Sequence, residues 1–124
     1  MAKKKSPWVV FVIKLNRQTQ EGRIRWKFVG DQPDFTHSDV QRYGPAYVAD
    51  VDDATLRLYS VKVLRETPEE IAYWDEAVVL EVQTSDTDYF VRIPVVAGLD
   101  DLYESVTYTV SKIEDFREKF LKEE

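Results

Sequence analysis

The stretch that decides the fold runs from Ala77 to Val110, AVVLEVQTSDTDYFVRIPVVAGLDDLYESVTYTV, because its hydrophobic period changes once, at Gly98. Before that glycine, Ala77–Thr84 and Asp88–Val95 are apolar runs of strand length on either side of Ser85-Asp86-Thr87. They read as an antiparallel hairpin, with Pro94 marking an edge or a strand end. After the glycine, Leu99, Leu102, Tyr103, Val106 and Val110 recur at the spacing of one helical face. Asp100 and Asp101 complement the positive start of that helix. Ser111-Lys112-Ile113-Glu114 has the form of a capping box, and Ile113, Phe116 and Phe120 prolong the apolar stripe. A break near Ser111 and a second helix are therefore expected.

Upstream, Thr67-Pro68-Glu69-Glu70 is another capping box, with proline at the first helical position, and predicts one or two helical turns reaching about Trp74. Ala46–Val51 and Thr55–Arg65 read as a hairpin around Asp52-Asp53, and Gly30–Gly44 as a polar loop. Arg23–Val29 is the cleanest strand pattern: Ile24, Trp26 and Phe28 alternate with Arg23, Arg25 and Lys27, which predicts one apolar and one basic face. The β-branched run Val9–Ile13 favours a strand by propensity. Ser6-Pro7 at its start and Gly22 after its end favour a helix, and these end signals decide for a helix of about 14 residues. Trp8, Val9, Val12, Ile13 and Asn16 would form its apolar face. The order helix, five strands, two helices defines an α+β domain over residues 1–124, with residues 1–6 as a flexible basic tail. The sheet is an antiparallel meander with the helices packed on one face.

Composition narrows the chemistry. The chain has 124 residues, 44% of them hydrophobic and 32% charged, which suits one folded domain. It has no cysteine, which excludes disulfides, thiolate metal sites and cysteine catalysis, and a single histidine excludes any two-histidine mechanism. The four glycines are isolated, so no phosphate-cradling loop is present. No apolar run approaches the roughly 20 residues of a membrane span. Lys14 cuts short the run that begins at Trp8, so no signal peptide is expected and a cytoplasmic location is.

Charge is unevenly spread around a net value of −6: residues 1–30 carry eight Lys or Arg against one Glu, and the remainder carries nine against twenty-two acids. Arg23, Arg25 and Lys27, with Lys3–Lys5, Lys14 and Arg17, are the candidate phosphate-binding residues. Trp26 and Phe28 alternate to the opposite face and would not stack on bases. His37, between Thr36 and Ser38-Asp39, lacks a triad's convergence of groups from separate parts of a fold. Asp50, Asp52, Asp53, Asp86 and Asp88 suit turns better than the calcium-loop template, because Ala54 stands where a third ligand belongs. No metal or cofactor is expected. Tyr73 and Trp74, in a segment containing Glu69, Glu70, Asp75 and Glu76, are the candidate partner-binding residues. Aromatics of this kind anchor interface centres, and the acids would form the rim. From Glu66 to Asp88 there are eight acidic and no basic residues, so the partner should be basic or neutral.

A helix ending Thr19-Gln20-Glu21-Gly22 is followed by Ile24-Arg25-Trp26, by Val79-Leu80-Glu81-Val82, and by a closing Leu99-x-x-Leu102-Tyr103-x-x-Val106 helix. This order resembles small bacterial α+β proteins of accessory type with no assigned activity. The resemblance spans nearly the whole chain and implies a fold without supplying a catalytic residue. Some such proteins work beside larger effectors or defence systems, which implies a context. The expected function is a non-enzymatic protein-interaction module, with another protein as partner and a homodimer also compatible. Nucleic-acid binding, DNA mimicry by the acidic remainder, and an enzyme using carboxylates and tyrosines are the alternatives.

Overall fold

The computed structural model describes residues 6–29 and 40–123. Helix α1 spans Pro7–Gln20, and the Ser6 hydroxyl accepts from the Trp8 N–H at 3.3 Å. Its far end closes as the sequence predicts. Gly22 takes φ +76°, its N–H reaches the Thr19 carbonyl, and the Arg23 N–H reaches the Gln18 carbonyl at 2.9 Å. That reciprocal pair satisfies carbonyls the helix leaves open.

Five antiparallel strands follow in sheet order β1-β2-β3-β4-β5: β1 Lys27–Phe28, β2 Val40–Val51, β3 Ala54–Glu66, β4 Ala72–Gln83 and β5 Val91–Arg92. The centre is the long β3–β4 hairpin, paired without interruption from Thr55↔Gln83 to Glu66↔Ala72. Helix α2 (Leu99–Ser111) returns across the sheet, and α3 (Ile113–Lys122) completes the α+β arrangement.

The main core lies between helices and sheet. Val12 and Leu15 of α1 and Leu99, Leu102 and Val106 of α2 meet Tyr47, Ala49, Leu56, Leu58, Val78 and Leu80. A smaller cluster of Ala46, Tyr59, Val61 and Val79 is buried on the opposite face of the sheet. Strand β2 carries a register shift between Tyr43 and Tyr47, where Gly44 turns left-handed at φ +71°. Tyr103 of α2 locks this bulge by donating to the Pro45 carbonyl at 2.6 Å. A Cβ on residue 44 would stand 3.1 Å from that same hydroxyl oxygen, a tight contact, and the positive φ is what favours glycine there.

Several local expectations are corrected, among them the strand at Asp88–Val95, which shrinks to Val91–Arg92. Thr67–Glu70 is a hairpin turn, not a helix start. The Glu70 N–H donates to the Thr67 carbonyl, Glu70 sits at φ +64°, and the Thr67 hydroxyl accepts from the Ile71 N–H at 3.1 Å. A threonine followed by proline fits the first residues of a type I turn as well as a helix start, and here the left-handed third loop residue sends the chain back. The regular strand at Arg23–Val29 shrinks to Lys27–Phe28; Ile24 and Trp26 are buried, but Phe28 is exposed. On α1, Leu15 and Thr19 are buried with Val12, while Trp8 and Ile13 stay largely exposed. The Ser111 box does not form. The Ser111 hydroxyl donates back to the Tyr108 carbonyl, and Lys112, at φ +56°, both ends α2 and precedes α3. Ile113, Phe116 and Phe120 keep their helical spacing, yet no residue of α3 is buried. The expected Gly30–Gly44 loop yields Val40–Gly44 to β2, and Gly30–Asp39 lies outside the described residues, as do Lys3–Lys5.

Candidate functional site

Tyr73 and Trp74 do not lie in a loop. They occupy successive positions on β4, facing Arg65 and Leu64 across the ladder. Side chains on a strand alternate, so the two rings leave on opposite faces of the hairpin. Trp74 shares its face with Val78 and Leu80 of the main core, and Tyr73 shares its face with Ala77 and Val79 of the smaller cluster. No residue from Lys62 to Glu76 belongs to the helix-facing core. Both aromatics are accordingly exposed, Tyr73 by 46% and Trp74 by 44%, with Ile71 beside them at the turn.

The acids expected to rim this site are spread along the hairpin, with Asp75 and Glu76 on opposite faces of β4. Glu69 and Glu70 sit at the turn, and Asp75 and Glu76 follow the aromatics on β4. Arg65 donates to Asp75 at 2.8 Å across the two strands, and Glu76 stands opposite Lys62. From Lys62 to Glu76 the hairpin carries five acidic and two basic side chains, so its field stays negative. Among the described residues Glu66, Glu69 and Glu70 form no ion pair.

The candidate cations form a second feature. Arg23, Arg25 and Lys27 are exposed and line one groove with Val48, Ala49 and Asp50, a space of about 410 Å³. Arg23 also pairs with Glu21 at 3.6 Å. Among the described residues no aromatic side chain lines this groove, and Trp26 is buried with its indole N–H on the Thr19 hydroxyl oxygen. Phosphate contact there would rest on charge alone. His37 lies outside the described residues. Asp50 accepts from the Thr55 hydroxyl at 3.0 Å and Asp53 from the Ser85 hydroxyl of the next turn at 3.2 Å, so these aspartates bond other side chains rather than capping local backbone N–H groups. Among the described residues no group of three or more metal-ligating side chains is placed to hold an ion. No described helix is long and apolar enough to cross a membrane.

Sequence reading missed one polar cluster, on the sheet face away from the helices. Both Nε and Nη2 of Arg57 reach Glu81 Oε1 at 2.6 Å, directly across β3 and β4. The Arg57 guanidinium lies 4.1 Å over the Phe90 ring, and Arg92, paired with Glu81 in register, donates to the Tyr59 hydroxyl at 3.5 Å. The signal was present in Leu56-Arg57-Leu58 and Leu80-Glu81-Val82, each a charge enclosed by apolar neighbours. Opposite charges in such frames mark a cross-strand pair once the register is known.

Burial first, then the nearby Glu81 charge, raises the Tyr59 pKa above its ordinary 10.0. The unfolded chain therefore loses this proton before the folded chain does. Stability that is complete below pH 10.0 should fall as the pH rises toward the higher folded value. Tyr59→Phe should flatten that part of the pH dependence. Urea titrations of both proteins across the alkaline range check this, and equal slopes would refute it.

Comparison of the chain with protein-family models, with curated proteins and with solved structures returned no match. What the chain does must therefore be argued from its own surfaces.

Proposed function

We propose that this chain is a non-enzymatic protein-interaction module that docks through the outer half of the β3–β4 hairpin. Its partner is a protein with a basic or neutral surface, and the chain acts as an accessory component beside a larger effector. The observation that carries this reading is the pair Tyr73 and Trp74, exposed on a rigid ladder and free of any core role. An aromatic ring held on a strand loses little conformational freedom on binding, so its buried area converts efficiently into affinity. The acids around it favour approach of a positive surface.

Trp74→Ala is expected to leave the melting temperature nearly unchanged, because the ring closes no core, and to weaken partner binding by about 2 kcal/mol, mainly through faster dissociation. Neutralising Glu69, Glu70, Asp75 and Glu76 should instead slow association and flatten its salt dependence. Capture of the partner from the native host with immobilised wild type, followed by kinetics on each variant, tests both statements. A partner held equally well by Tyr73→Ala/Trp74→Ala would refute this docking surface. A marked fall in the melting temperature of Trp74→Ala would return that ring to a structural role.

A further inference from the structure

The manner of docking follows from the hydrogen bonding of β4. Strand β5 covers only part of its outer edge: Val91 and Arg92 pair with Val82 and Glu81, and the Ile93 N–H donates to the Leu80 carbonyl at 3.0 Å. The chain then leaves the sheet at Pro94. From Ala72 to Val79 the outer edge of β4 has no strand partner among the described residues. An antiparallel ladder directs the N–H and C=O of alternate residues to alternate sides. Since Leu80 points its carbonyl outward, and the β3–β4 register runs unbroken, Ala72, Trp74, Glu76 and Val78 point both backbone groups outward as well. Tyr73, Asp75 and Ala77 direct theirs to β3.

We infer that this open edge accepts an extended, basic segment of a partner protein as an added strand. This deepens the docking reading above and rests on it. An added strand would take up the outward N–H and C=O groups, while Trp74 and Tyr73 flank it on its two faces. Charge selects the occupant. Two copies joined antiparallel over Ala72–Val79 would set either Asp75 against Asp75 or Glu76 against Glu76 of the other chain at the centre of the pairing, and like charges across strands are destabilising. Charged side chains on an exposed edge deter self-pairing of this kind. The same acids attract a strand that alternates Lys or Arg with apolar residues.

The test uses the full chain and a blocked peptide alternating arginine and valine, long enough to span Ala72–Val79. Two analogues carry N-methyl groups, one on every arginine and the other on every valine. Strand addition directs the N–H groups of only one residue type at the edge. One analogue should therefore bind about tenfold or more weaker than the parent, while the other binds within about twofold. In the complex the amide protons of Trp74, Glu76 and Val78 should exchange more slowly, and those of Tyr73, Asp75 and Ala77 should not change. In a second arm, Glu76→Pro removes an outward N–H and Glu76→Gln removes only the charge. The proline variant should bind the peptide about fivefold or more weaker than the glutamine variant, at a similar melting temperature. Equal binding of both methylated analogues and the parent, no binding of the parent, or unchanged amide exchange would each overturn strand addition. If the native partner is still lost on Trp74→Ala, the docking surface survives that failure; if it is retained, the docking reading itself has failed.

Discussion

Replacing Trp26 by alanine is expected to cost about 3–5 kcal/mol of stability, the largest effect of any substitution considered. The indole is only 7% exposed and belongs to the core between sheet and helices, with Val12 and Leu15 of α1. It also completes a short buried relay. Trp26 Nε1–H donates to Thr19 Oγ1 at 3.0 Å, and the Thr19 hydroxyl donates to the Leu15 carbonyl at 2.8 Å. Alanine therefore opens a cavity and leaves Thr19 without its indole donor. Trp26→Phe, which keeps an aromatic ring but no N–H, should cost less. Thr19→Val keeps the volume and leaves the indole N–H unsatisfied, for about 1–3 kcal/mol. Urea midpoints for the three variants give the order directly. A midpoint for Trp26→Ala equal to that of the wild type would mean that the face assignment of Ile24 and Trp26 is wrong.

The second large effect concerns Arg57 and Glu81. The Glu81 side chain is 9% exposed, and both Arg57 contacts converge on one of its oxygens. Removing the guanidinium while the carboxylate stays enclosed beside Tyr59 should cost about 3 kcal/mol in Arg57→Ala. The pair itself need not be stabilising, since each ion gives up water to enter the sheet. Arg57→Leu/Glu81→Leu should therefore fold within about 1 kcal/mol of the wild type. A double-mutant cycle in urea measures the coupling. If Arg57→Ala unfolds at the wild-type midpoint, the carboxylate is solvated rather than held by the pair.

Much of this fold could be read from the residues themselves, because several elements carry their boundaries locally. Ser6, Pro7 and Gly22 bracket α1, and the spacing from Leu99 to Val106 defines the buried side of α2. What periodicity does not report is where a core ends. Phe28 continues the alternation of Ile24 and Trp26 but is 58% exposed, and Phe116 continues the stripe of α2 on a helix none of whose residues is buried. Thr67-Pro68 misled for a different reason: its local geometry is shared by helix starts and type I turns, and only the left-handed Glu70 separates them. The candidate site was half legible. Tyr73 and Trp74 stood out as aromatics among acids, but their place on an uncovered strand edge depends on β5 stopping at Arg92, a tertiary fact.

The single left-handed residue between the last two helices bears on how the chain comes apart. Lys112 interrupts the run of backbone hydrogen bonds, since its N–H closes on the Thr109 carbonyl while its own carbonyl takes the Phe116 N–H. Cooperative melting propagates through shared hydrogen bonds and shared burial, and α3 has little of either in common with the rest. The segment after Lys112 thus forms its own unit of opening. It can fray, be trimmed by a protease or rezip while the sheet and the first two helices remain folded. A thermal scan of the whole chain should accordingly report two events: a shallow loss of helical signal from the C-terminus, and a sharp transition that belongs to the core.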